Sequence, residues 1–304
     1  MAVKIACGQM EIVAGRPDLN TNKILQLIKL AKNESVDIIV FPEMAVPGNM
    51  IGDLWEQTSF LNDCEMYGKQ IIAATEGTTV IFGNVAIDWK RKNKDGLVRK
   101  YNAAFTAQNG KLIPTEQGLD FVAKLSLSSY RQFDEPRYFS SQDILLKDKR
   151  ISLKNGMGSV SVTLQGRKYK LGLLLSEDGW IDSDSVNVPA MLKQGGAELL
   201  CNLSSSPFSL RKNSKRHILF SEQAKDLQLP VVYCNHTGIQ NTGKNIYTFD
   251  GQSCVYGPDG MVKAAAPMFE EKLLTFSWEK ENAKIRAYAA EDELIATEEN
   301  ETEI

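Results

Sequence analysis

In LGLLLSEDGW, residues 171–180, a run of leucines ends in a tight polar turn whose first residue is Ser176. A strand that ends in this way displays one side chain at its tip, the arrangement that exposes nucleophiles in many hydrolases. In DIIVFPEM the apolar run stops at Pro42 and Glu43. That spacing predicts a carboxylate at the C-terminal end of a buried strand, where α/β folds gather functional groups. In VAKLSLSSYRQFDEPRYF, Lys124, Tyr130, Glu135 and Arg137 stand among aromatic residues. Taken singly, each stretch also has a structural reading, as a glutamate bonded to loop amides, a solvated lysine and a turn serine.

Positioning such groups requires a scaffold, and the surrounding pattern describes one. Short β-type runs recur in KIACGQMEIV, TTVIFGNVAI, YNAAFTAQNGKLI, AELLCNLSSS, LPVVYCNHTG, QSCVYGPDGMV and KLLTFSW. Helical stretches separate several of them. NTNKILQLIKLAKNESV carries Ile24, Leu25, Leu27, Ile28 and Leu30 at helical spacing, with Asn20 or Thr21 as N-cap. DLWEQTSFLNDCEMYGKQIIAAT and SKRHILFSEQAKDLQL read as two more helices. Strands alternating with helices predict an α/β class. Asn109-Gly110 and Pro258-Asp259-Gly260 add hairpins, hence antiparallel strands within it. No linker divides the chain, so one domain is expected over 1–285, followed by an acidic tail over 286–304.

Composition narrows the functional classes. The chain has 304 residues, 43% of them hydrophobic, and a formal net charge of −3. It is long enough for a sizeable core, and the charge balance argues against nucleic acid or an anionic membrane as partner. No apolar run approaches the roughly 18 residues a bilayer requires, and the N-terminus lacks a signal-peptide pattern. Five scattered cysteines suit a reducing, cytoplasmic compartment. Two histidines without metal-ligand spacing make a zinc site unexpected.

The three stretches gain meaning from their order. VFPEM, then KLSLSSYRQFDEPRYF, then LLLSEDGW, then NLSSSPF resembles the carbon–nitrogen hydrolase (nitrilase) superfamily. Within it the chain is most similar to the glutamine amidohydrolase domain of glutamine-dependent NAD synthetases. LPVVYCNHTG and Phe249-Asp250-Gly251 fit as well, and the likeness runs from KIACGQM to KLLTFSW. The resemblance implies a four-layer α-β-β-α sandwich, pairing into homo-oligomers, and hydrolysis of a small carboxamide such as glutamine without a cofactor. It implies a Glu–Lys–Cys triad in which Glu43 is the base and Lys124 the cation. Glu135 is a second carboxylate beside the lysine, and the backbone N–H of Glu177 is an oxyanion donor. Tyr130, Ser206 and Phe208 are implied as substrate-binding residues. No phosphate loop of the synthetase half is present, so the chain reads as either an excised glutaminase domain or a free-standing amidase, with a synthetase-type ammonia acceptor as a candidate partner.

Two departures stand out. Ser128-Ser129 replaces Pro-Asn, and Ser176 holds the nucleophile's place, normally the cysteine of Cys-Glu-Asp. A thiol ionises near 8.5 and an alcohol near 15 to 16, a gap of roughly seven units or about 9 kcal/mol. A carboxylate is a poor base for an alcohol, and serine hydrolases use histidine instead. His217, on a presumed helix, and His236, in a loop, read as structural. None of the cysteines can stand in on motif grounds. Ser176 is therefore expected to be an inefficient nucleophile, in an engineered variant made to trap an amide or in a natural variant that kept binding or assembly. The intact Glu43 and Lys124 favour the first history. The alternatives are a non-catalytic binding or scaffold protein of this fold, or an amidase acting on another amide or a nitrile.

Overall fold

The structure, a computed structural model, describes residues 2–130, 133–180, 186–241, 243 and 245–288. The first half of the chain runs β1 (Ala2–Gln9), α1 (Pro17–Asn33), β2 (Ile38–Val40), α2 (Thr58–Ala73), β3 (Thr79–Lys92), β4 (Val98–Gln108), β5 (Lys111–Leu112) and β6 (Val122–Ala123). Three short helices follow: α3 (Glu135–Tyr138), α4 (Gln142–Lys149) and α5 (Leu153–Gly156). The second half runs β7 (Ser159–Leu164), β8 (Arg167–Leu175), α6 (Val188–Gln194), β9 (Leu199–Leu203), α7 (Lys212–Leu227) and β10 (Val231–Cys234). It continues through β11 (Thr237–Asn241), β12 (Ile246–Asp250), β13 (Cys254–Tyr256), β14 (Val262–Ala265), β15 (Lys272–Glu279) and β16 (Lys284–Ala287).

Two sheets form. One has the order β16-β15-β1-β2-β3-β4-β5, with β6 also paired to β4; the other has the order β14-β13-β10-β9-β8-β7. Each has a parallel centre, β1-β2-β3 in one and β8-β9-β10 in the other, with antiparallel strands on its flanks. The sheets face each other across an apolar layer in which Ile5, Val40 and Ile81 meet Leu171, Leu173 and Val232. The outer face of the first sheet is covered by Ile24 and Ile28 of α1 and Ile71 of α2. Val188 and Leu192 of α6, with Phe220 and Ala224 of α7, cover the second. This is the expected α-β-β-α sandwich. Its parallel strands are apolar on both faces because both faces are covered.

Local differences from the sequence reading have physical causes. Helix α1 begins at Pro17 after Arg16, so neither Asn20 nor Thr21 caps it. Proline at the first helical position fixes φ where no N–H partner is needed. Asn20 instead ties the preceding loop, accepting the Val13 N–H and donating to the carbonyls of Val13 and Val46. The stretch read as one helix from Asp53 is a short 3₁₀ turn, Gly52–Glu56, followed by α2. Both hairpins form as expected, with Asn109 and Gly110 at positive φ between β4 and β5. Most of the expected acidic tail, 289–304, lies outside the described residues. Among the described residues no helix is long and apolar enough to cross a membrane, and no group of three or more metal-ligating side chains is assembled.

Candidate active site

The site lies where the parallel strands of the two sheets end. β8 stops at Leu175, and Ser176 opens a 3₁₀ turn, Ser176–Gly179, with φ of +38°. Few non-glycine residues adopt such a backbone, and the strain turns the side chain out of the strand direction. The Ser176 hydroxyl donates to Glu43 Oε2 at 2.5 Å and accepts the Ser205 N–H at 3.0 Å. Ser205 follows the end of β9, and Asn202 within that strand donates its amide to the Ser176 carbonyl at 3.3 Å.

Glu43 leaves the end of β2 in a segment pressed against β3. At Gly83 a Cβ would sit 2.4 Å from the Met44 nitrogen and 2.7 Å from the Glu43 carbonyl carbon, so only glycine admits the approach. Lys124 follows β6, and its ammonium lies 3.0 Å from Glu43 Oε1 and 2.8 Å from Glu135 Oε2. Glu135 opens α3 and accepts the Ser128 N–H at 2.7 Å. Asn102 of β4 completes the cluster, donating one amide nitrogen to Glu43 at 2.7 Å and to Glu135 at 2.9 Å.

Glu43, Asn102, Lys124 and Glu135 are all less than 5% exposed. Burial alone would push the Lys124 ammonium toward losing its proton; the carboxylates of Glu135 and Glu43 override it and hold the group above its ordinary value. Lys124 is thus held as a cation and is unfit to act as a base. Asp178, in the turn itself, accepts the Ser126 N–H at 2.7 Å and the Leu125 N–H at 3.2 Å, binding the serine turn to the lysine segment. Burial pushes its carboxyl up to about 6 against the pull of those donors.

Glu43, Lys124 and Ser176 open on one cavity, whose wall also includes Glu177 and Lys212. Burial raises the Glu177 carboxyl above its ordinary value, with Lys124 opposing the shift. Of the expected substrate-binding residues, Tyr130 and Ser206 line this cavity and Phe208 does not. The Phe208 N–H is pinned to the Thr248 carbonyl at 2.7 Å, and its ring packs edge-on against Phe269 instead. Arg137 lies at the surface, paired with Asp53. All five cysteines are buried and free, and none lines the cavity. His217 sits on α7 with a ring nitrogen 2.9 Å from the Tyr256 hydroxyl, away from the site. Sequence reasoning missed Asn102, Ser205 and Lys212. Asn102 left one trace, a polar side chain in the otherwise apolar YNAAF run.

Known proteins resemble the chain in sequence and fold. Residues 4–283 match the carbon–nitrogen hydrolase family. The chain is 30% identical over 276 residues to the glutamine-dependent NAD(+) synthetase of Thermotoga maritima, covering 90% of this chain and 41% of that enzyme. It thus spans less than half the length of that relative. The glutamine-dependent NAD+ synthetase of Acinetobacter baumannii superposes with a TM-score of 0.77 at 27% identity, over 97% of this chain and 49% of that one. An amidase of the nitrilase superfamily from Nesterenkonia superposes with a TM-score of 0.70 at 17% identity, covering 92% of each chain.

Proposed function

The chain belongs to the carbon–nitrogen hydrolase family, an amidase-type lineage, and from that premise we propose that its cavity binds glutamine or a related side-chain amide. The observation that carries this reading is the 2.5 Å bond between the Ser176 hydroxyl and Glu43, beside the buried Lys124 ammonium. In the proposed reaction Glu43 takes the hydroxyl proton as Ser176 Oγ attacks the amide carbon. Lys124 and the Glu177 N–H face the oxyanion, and Glu43 returns the proton to the departing ammonia. Water then cleaves the acyl-serine by the same route. Asn102 and Glu135 hold Glu43 and Lys124 in register. Tyr130 and Ser206 form part of the substrate wall. The opposite charges of Glu177 and Lys212 on that wall suit the ammonium and carboxylate of an amino acid.

Serine in the nucleophile's place makes the proposed chemistry slow, because about 9 kcal/mol more is needed to form its anion than a thiolate. The protein as it stands is then chiefly a binder of the amide, with residual hydrolysis. Its ammonia, where released, would serve a synthetase-type acceptor, as its relatives' names suggest. The test is Ser176→Cys, assayed for ammonia release from glutamine, small amides and nitriles. We expect a gain of about 100-fold or more, abolished again by Glu43→Gln or Lys124→Ala. No release from any compound of the panel would refute the hydrolytic reading and leave the alternative, a non-catalytic binding or scaffold protein.

A further inference from the structure

The Ser176 site contains a second hydroxyl with different chemistry. Ser205 lines the same cavity and is 4% exposed. Its Oγ lies 2.9 Å from His236 Nε2. His236 stands between β10 and β11, fully buried, with its ring against that of Phe249 at a centroid distance of 4.0 Å. Its other nitrogen, Nδ1, lies 2.9 Å from the Thr237 carbonyl oxygen. A carbonyl oxygen can only accept, so Nδ1 carries the proton and the Nε2 lone pair faces Ser205. Ser205 is the donor in that bond. A serine donating to a neutral imidazole whose far nitrogen is fixed by an acceptor has the geometry in which a histidine takes an alcohol's proton. Here a backbone carbonyl stands in the carboxylate's place and burial makes the ring a weak base, so only substrates with good leaving groups suit it. Ser176 lacks such a partner, being bonded to a carboxylate.

We propose that Ser205 is a second acylatable serine in this cavity, with His236 as its base, and that small activated esters are its substrates. The Ser205 Oγ–carbon bond forms as the hydroxyl proton passes to His236 Nε2. The carbon–oxygen bond to the leaving alcohol then breaks, and the alkoxide takes the proton back from Nε2. Water attacks the acyl-serine by the same path, releasing the carboxylic acid and restoring Ser205. Esters suit the pair better than amides because an activated alkoxide leaves without strong protonation. Lys124, on the same cavity wall, supplies positive charge for the tetrahedral intermediate. The inference stands whether or not Ser176 turns over an amide.

The experiment treats the whole protein with a fluorophosphonate and, separately, with p-nitrophenyl acetate. Labelled peptides are mapped by fragmentation mass spectrometry, which separates Ser205 from Ser176. We expect the adduct on Ser205, with labelling and ester hydrolysis reduced at least tenfold in both Ser205→Ala and His236→Gln. Circular dichroism confirms folding, and if His236→Gln does not fold, Ser205→Ala alone decides. An adduct on Ser176, no adduct at all, or undiminished ester hydrolysis in Ser205→Ala would overturn the proposal.

Discussion

At the scale of single residues, the site is a buried charge cluster that stands because each group has partners. Two carboxylates share one ammonium, and Asn102 donates to both of them. Asn102→Ala removes those donors from groups that water does not reach, at a cost of about 1–3 kcal/mol; urea denaturation of the variant measures it. His236 sets a pH dependence of stability. Burial lowers its pKa from 6.5 to about 4, so the folded state keeps the ring neutral where the unfolded chain protonates it. The unfolded state then binds more protons between pH 6.5 and 4, and stability falls as the solution is acidified, by up to about 1.4 kcal/mol per pH unit. Urea midpoints from pH 7 to 4 should show this slope, and His236→Gln should lessen it. Glu43, Lys124, Glu135 and Ser176 were legible in the sequence through the order of their motifs, which resembles the carbon–nitrogen hydrolase family, since each stretch alone also has a structural reading. Ser205 was not, because nothing local separates it from Ser204 and Ser206.

At the scale of elements, the cluster depends on where strands stop. Glu43 is held by a segment packed against Gly83 of β3, with Met44 nitrogen 2.4 Å from where a Cβ would stand. Gly83→Ala must push that segment away, moving the carboxylate from Ser176. In the Ser176→Cys background this change should cut ammonia release at least tenfold, since misplacement by about 1 Å costs on the order of 100-fold. Comparative kinetics at saturating amide would register it. Strands flanked by turn residues, such as β13 and β14 around Pro258-Asp259-Gly260, announce themselves locally. The β11–β12 hairpin does not. It forms a two-stranded sheet joined to other segments by single bridges, Thr237 to Glu11 and Phe249 to Pro207, and its polar stretch from Gln240 to Tyr247 carries no alternation. Long-range contacts hold it, including the buried ion pair of Arg216 on α7 with Asp250 at 3.2 Å. No window of neighbouring residues encodes that pairing.

At the scale of the molecule, the two faces of each sheet have different partners. Along β8, Leu171, Leu173 and Leu175 face the other sheet, whereas Leu174 faces the helices. Leu173→Ala and Leu174→Ala should therefore each cost about 2–5 kcal/mol, a near-equality that a half-exposed strand would not give. Chemical denaturation of both variants tests the layering. Arg216→Ala strands Asp250 as a buried lone charge and should cost about 3–5 kcal/mol, read from the same curves.

The cavity draws Glu43 and Lys124 from one layer and Ser176 and Ser205 from the other, with the Ser176–Glu43 bond crossing between them. Neither half of the sandwich owns the pocket. Anything seated there is a clasp across the seam, so its grip appears as reluctance of the halves to part. An occupant at a hundred times its dissociation constant would add about 2.7 kcal/mol to that reluctance, and the slowest-exchanging amides of β2 and β8 would slow together.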